Sequence, residues 1–186
     1  MAIWKYLGLE TGGEPGPDRK KGKASAETET VRKIVDALDR LEPERARYIA
    51  AFAYLLGRVA HADQHISPEE TQQMERLVME RGGLPEEQAI LVVQMAKTQN
   101  LLFGGTENFL VSREFEKIAS REQKLALLDC LYAVSAADKS ISTVEDNEIR
   151  KISRELHLSH EEFIGVRMNF RDHLAVLQKP ERSEGA

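Results

Sequence analysis

Val59-Ala60-His61-Ala62-Asp63-Gln64-His65-Ile66-Ser67-Pro68-Glu69-Glu70 recurs 75 residues later as Val134-Ser135-Ala136-Ala137-Asp138-Lys139-Ser140-Ile141-Ser142-Thr143-Val144-Glu145. Six of the twelve positions are identical (Val, Ala, Asp, Ile, Ser and Glu), where unrelated segments share about one. The pair reads as an internal duplication. In each copy one helical pattern ends and the next begins. Ser67 with Glu70, and Ser142 with Glu145, have the S-x-x-E spacing of a capping box. In such a box the serine hydroxyl accepts a backbone N–H of the new helix while the glutamate reaches back to the serine N–H. Pro68 falls in a first helical turn, where its missing N–H is no loss. Ile66 and Ile141 lie between two helices at equivalent places and are expected to pin each joint to the core.

Outward from these joints, apolar residues recur at helical rather than alternating spacing. A first helix is predicted near 27–41, carrying Val31, Ile34, Val35 and Leu38. A second follows Pro43 to about Ala62, with Tyr48, Ala51, Phe52, Leu55, Leu56 and Val59. The third runs from Ser67 to a stop at Gly82-Gly83. The fourth starts at Pro85, a proline in a first turn. A break at Gly104-Gly105 precedes a fifth over 106–119. The sixth covers about 121–137, the seventh 143–156 and the eighth 160–178, the last opened by a third box, Ser159 with Glu162. Helices two to four correspond to helices six to eight under the repeat. The expected fold is all-α, a single bundle of about eight helices with pseudo-twofold internal symmetry.

The organisation that follows is an N-terminal apolar head and flexible linker over 1–28, a helical domain over 29–178, and a polar C-terminal tail over 179–186. In the linker Gly12, Gly13, Pro15, Gly16 and Pro17 break regular structure, and Lys20, Lys21 and Lys23 keep it solvated. Ile3, Trp4, Tyr6, Leu7 and Leu9 form the head. With Lys5 beside them they suit a peripheral membrane contact, or docking on this domain or on a partner.

Composition narrows the function classes. In 186 residues, 41% are hydrophobic and 31% charged, as in a globular domain, and the net charge of −5 argues against an electrostatic nucleic-acid binder. Cys130 is the only cysteine, which excludes an internal disulfide and a cysteine-based metal cluster. Its neighbours Leu127, Leu128 and Leu131 mark it as a buried structural thiol. No apolar run is long enough to span a bilayer, and Met1–Glu10 lacks the pattern of a secretory signal. The expected place is the cytoplasm, with the inner membrane surface within reach of Ile3, Trp4, Tyr6 and Leu7. Neither an H-E-x-x-H helix nor a phosphate-binding loop is present.

The joint motif, Ala62-Asp63-Gln64-His65-Ile66 and Ala137-Asp138-Lys139-Ser140-Ile141 followed by an acidic turn that starts a helix, resembles the tellurite-resistance TerB-like family. The resemblance covers about residues 45–178. Where the family commonly has glycine after the aspartate, this chain has Gln64 and Lys139. The resemblance implies a helical module with clustered acidic residues, linked to stress response, membrane-associated complexes and metal binding. Similar modules are attached to membrane-anchored J-domain co-chaperones. It implies no defined enzymatic reaction.

The candidate site is the acidic set Asp63, Glu69, Glu70, Asp138 and Glu145. Hard divalent cations favour several oxygen ligands, so Asp63, Glu70, Asp138 and Glu145 are the candidate ligands, for calcium or magnesium ahead of zinc. The spacing is not that of an EF-hand. The structural alternative is that Glu70 and Glu145 serve only as capping partners and the aspartates close the preceding helices. His61 and His65 flank Asp63, but they share a face only if the helix continues through His65, against which Ile66-Ser67-Pro68 argues. His157, His160 and His173 have no partner visible in the sequence. The reading that results is a non-catalytic interaction module of a bacterial stress-response or membrane-associated complex, with other proteins as partners and no nucleic acid. The alternative is a metal-dependent enzyme using the same carboxylates, with His61 or His65 as acid or base.

Overall fold

The segment from Tyr48 to Gly57 is buried at every position, and the rest of the chain is arranged around it. A helix that is apolar on all sides belongs in an interior. The computed structural model describes residues 23–60, 68–98 and 108–177, without the side chains of residues 23–28, 69, 108, 109 and 138. Among these residues the chain forms eight α-helices: α1 (Lys23–Asp39), α2 (Pro43–Ala60), α3 (Pro68–Glu80), α4 (Glu86–Lys97), α5 (Asn108–Ile118), α6 (Arg121–Ser135), α7 (Thr143–Glu155) and α8 (His160–Met168). Short 3₁₀ turns occupy Ala136–Asp138 and Arg171–His173. No strand occurs among the described residues; a single parallel bridge joins Ile141 to Leu174. The all-α reading holds.

Helix α2 touches α1, α4, α5, α6 and α7. Its small residues Ala46, Ala50, Ala51 and Ala53 let those neighbours approach, and Ile49, Phe52, Leu55 and Leu56 fill the spaces between them. Tyr48, Phe52 and Phe115 form an aromatic cluster between α2 and α5, with centroid separations of 5.2 to 6.3 Å. Burial raises the Tyr48 hydroxyl to about 12. Helix α3 ends against the same cluster. A Cβ at Gly82 would lie 2.6 Å from the Val78 carbonyl oxygen and 2.9 Å from Phe52 Cζ. Gly83 takes a left-handed φ of 66°. The two glycines thus stop the helix for different reasons, one steric and one conformational.

Capping explains the helix starts. Ser142 with Glu145 and Ser159 with Glu162 form the two described boxes expected from the sequence. Ser120 with Gln123 forms a third that the S-x-x-E pattern did not cover, because glutamine replaces glutamate. Pro85 is the N-cap of α4 rather than a residue of its first turn. At the end of α7, His157 adopts φ 56°. The Leu158 N–H bonds the Ser153 carbonyl at 3.0 Å and the His157 N–H bonds that of Arg154 at 3.1 Å, a Schellman closure with histidine where glycine is usual. Cys130 is fully buried, and burial raises its thiol to about 12, which fits an inert structural role.

Two boundaries differ from the sequence reading. Helix α1 starts at Lys23, inside the segment assigned to the linker, because Gly22 is the last breaker and Ala24, Ala26 and Glu27 favour helix. Helix α8 ends at Met168, not near 178. The chain turns there so that Phe170 stacks on Tyr132, with centroids 5.6 Å apart and planes 17° apart. Leu174 is then buried beside Ile141. Burying two large apolar side chains outweighs another helical turn with one face in water. The apolar head, the linker to residue 22 and the tail after 177 lie outside the described residues.

Ile141 is buried, as the joint reading requires. Ile141→Ala should therefore destabilise the domain by about 2–5 kcal/mol, and Ser142→Ala by about 1 kcal/mol. Urea unfolding of the two variants measures the order. An Ile141→Ala protein as stable as the parent would contradict the anchoring role.

Candidate functional site

The second joint is built from the end of α6 to the start of α7. After Ser135 the chain makes a 3₁₀ turn over Ala136–Asp138, closed by the Lys139 N–H on the Ala136 carbonyl at 2.9 Å. Lys139 then takes φ 66°. This is the left-handed conformation that glycine favours, at the position where the joint motif resembles a family with glycine. Lysine adopts it here despite its Cβ, and the loop keeps a glycine-like path. Ile141 next enters the core, and Ser142 caps α7. Glu145 Oε2 accepts from the Ser142 N–H at 2.8 Å and from the Ser142 hydroxyl at 2.7 Å, while the Glu145 N–H donates to Ser142 Oγ at 3.2 Å.

A C-terminal segment braces this joint. The Ile141 N–H donates to the His173 carbonyl at 2.6 Å, and the Ala175 N–H donates to the Ile141 carbonyl at 3.0 Å. His173 Nδ1 lies 3.4 Å from the Lys139 carbonyl oxygen. His173 thus has a neighbour that the sequence does not reveal. So has His157, whose Nδ1 is 3.5 Å from Glu116 Oε1.

Asp63, with His61, His65, Ile66 and Ser67, lies outside the described residues, as do the side chains of Glu69 and Asp138. Glu70 is exposed in the first turn of α3. Glu145 is the one candidate ligand whose contacts are described in detail, and its Oε2 serves the cap. Among the described residues no three His, Cys, Asp or Glu side chains are grouped to hold a metal ion.

The structure brings together two polar clusters that the sequence reading missed. Asp146 is buried beside the joint. It receives Arg167 Nε on Oδ1 at 2.8 Å, Arg167 Nη2 on Oδ2 at 2.9 Å, and the Tyr132 hydroxyl on Oδ1 at 2.8 Å. Burial pushes its carboxyl upward, but Arg167 and Tyr132 outweigh burial and hold it below its ordinary value. Tyr132 is raised in turn, by burial first and then by the Asp146 carboxylate. Arg150 lies over the Phe163 ring at 5.5 Å and flanks the cluster. One signal was available. Asp146 stands three residues before Ile149 and ten before Leu156, on the apolar stripe of α7.

The second cluster surrounds Arg58, whose side chain is only 3% exposed at the end of α2. Its Nη2 is 2.6 Å from Glu148 Oε1, and its Nη1 is 2.7 Å from Glu155 Oε2 and 2.9 Å from Ser112 Oγ. Burial opposes the guanidinium charge, yet Glu155 and Glu148 more than restore it, so Arg58 titrates above its ordinary value. Glu148 and Glu155 are seven residues apart, two turns on one face of α7. Helix α7 therefore faces Arg58 with two carboxylates, Glu148 and Glu155, and Arg167 with one, Asp146.

Lys139→Gly should raise stability by about 0.5–1 kcal/mol, because the steric penalty of a left-handed lysine exceeds the entropy that glycine loses. Thermal unfolding checks the sign; a destabilised variant would show that the lysine side chain makes a contact of greater value. For Asp146, a depressed folded pKa means that its contribution is present above its unfolded value near 4 and is lost as pH falls through the folded value. Asp146→Asn should be less stable at neutral pH by about 2–3 kcal/mol and should lose less on acidification below about pH 4. Urea midpoints against pH measure both, and parallel curves for parent and variant would remove Asp146 from the acid transition.

A family model described as Tellurite resistance protein TerB matches residues 48–168, more than half of the chain and both copies of the joint. No curated protein and no solved structure matches it. No helix among the described residues is long and apolar enough to cross a membrane. The joint residues, the helical bundle around them and the family match agree, and the chain belongs to the TerB family.

Proposed function

We propose that this chain is a non-catalytic helical interaction module of a bacterial stress-response or membrane-associated complex of the tellurite-resistance kind, and that its acidic joints bind a divalent cation. The observation that carries the reading is the family match over residues 48–168, which spans both joints. The internal charges support it. Arg58, Glu148, Glu155, Asp146 and Arg167 are each committed to ion pairs that hold helices together. Asp63, Glu70, Asp138 and Glu145 would hold the cation. Four carboxylates are a hard-oxygen donor set, suited to calcium or magnesium ahead of zinc. The capping role of Glu145 is compatible with ligation, since the cap uses Oε2 and a carboxylate has two oxygens. A bound cation would neutralise the joints and tune the surface presented to a protein partner. The module would work in the cytoplasm, with Ile3, Trp4, Tyr6 and Leu7 available for a peripheral contact at the inner membrane surface.

Calcium, magnesium or manganese should raise the thermal midpoint relative to chelator, since a ligand that binds only the native state stabilises it by mass action. At a hundredfold excess over Kd the gain is about 2.7 kcal/mol. Asp63→Asn combined with Asp138→Asn should abolish that gain and leave the fold intact. If no cation moves the wild-type midpoint, the acidic joints are caps or contacts for a basic partner instead.

A further inference from the structure

We propose that the segment from Phe170 to Leu177 is a latch on the second acidic joint, and that a cation held at that joint keeps the latch closed. The coupling rests on the cation reading above; the latch itself does not. The segment's attachment is narrow. Phe170 stacks on Tyr132, Leu174 is buried, two backbone hydrogen bonds reach Ile141, and His173 Nδ1 lies 3.4 Å from the Lys139 carbonyl oxygen. Between and beyond these points the segment is exposed: Arg171, Asp172, Ala175, Val176 and Leu177 all face solvent. Val176 is 62% and Leu177 55% exposed. A segment with few buried contacts opens far more often than the core of its domain.

The joint underneath is held in a strained arrangement. Lys139 is held at φ 66°. A lysine keeps a left-handed backbone only where its surroundings fix it. The fixing elements are on either side: the 3₁₀ turn before it, and Ile141, whose N–H and carbonyl are both taken by the latch. When the latch opens, Ile141 loses both bonds and Lys139 can relax to a right-handed or extended backbone. Lys139 lies directly between Asp138 and the Ser142–Glu145 box, so its rotation moves one candidate ligand relative to the other. The closed latch therefore preorganises the joint. By linkage, any cation that binds the preorganised form shifts the population toward the closed latch.

The Ile141 and Ala175 amides donate the two latch bonds, so their hydrogen exchange reports opening directly. In the full chain, free of cation, both should exchange at a common rate well above that of the buried amides of α2. Leu174→Ala should accelerate both by about tenfold or more relative to the α2 amides. Lys139→Gly, which relieves the strain of the closed form, should slow both by roughly two- to fivefold. Calcium or magnesium should slow both in the parent protein. Ile141 and Ala175 exchanging only with the α2 amides, in parent and variants alike, would overturn the latch. Cations that raise the unfolding midpoint but leave these two amides unchanged would overturn the coupling while the cation reading stands. No midpoint shift with any cation would end the cation reading and the coupling together, and the cation-free exchange would still decide the latch.

Discussion

The structure depends on the complete burial of one helix. From Tyr48 to Gly57, α2 has no face left for water, so it must be enclosed by its neighbours. This constraint sets the arrangement of α1, α4, α5, α6 and α7, which all touch it. It also explains the composition of α2. Alanines admit close neighbours, while Phe52 fills the space above Gly82 and meets Phe115. A residue with a larger side chain at Gly82 would collide with that ring and with the carbonyl of Val78, so the end of α3 is tied to the packing of α2.

Enclosing α2 forces a charge inside. Arg58 follows Gly57 on the same helix and cannot reach bulk water. It is compensated by Glu148 and Glu155 from α7 and by Ser112 from α5. A buried ion pair contributes little net stability compared with an apolar substitute, but it is strongly destabilised by loss of one partner. Arg58 and its carboxylates therefore act mainly to select one register of α7 against α2. The Asp146–Arg167 pair does the same for α8, with Tyr132 as a third partner from α6. Helix α7 is fixed from two sides by charges of opposite placement, and the joint that precedes it inherits that fixed position.

The joint combines rigid and strained parts. Its cap on α7 is fully satisfied, and Ile141 is anchored in the core. Lys139, two residues before Ile141, carries an unfavourable backbone conformation. Strain of this kind persists where the surroundings demand it and is common where a chain must bind or switch. Membership of the TerB family and the acidic character of both joint segments draw attention to the same place.

Local rules made much of this legible. Capping boxes at Ser142 and Ser159 involve residues three apart, and the glycine stop at Gly82-Gly83 involves neighbours, so both can be read from the chain alone. The apolar stripes marked out the helices, but that α2 is enclosed on every side appeared only in the folded packing. The joint motif led to the family. What the sequence could not supply was the pairing of charges, because Arg58 meets partners 90 and 97 residues away and nothing local connects them. The same holds for the end of α8. Helical pattern continues past Met168, yet the chain leaves the helix because Phe170 and Leu174 find buried places beside Tyr132 and Ile141. Backbone hydrogen bonding within a helix acts over four residues, and the sequence determines it. Which distant side chain neutralises a buried charge or covers an apolar surface is a property of the folded packing, and only the tertiary structure decided it.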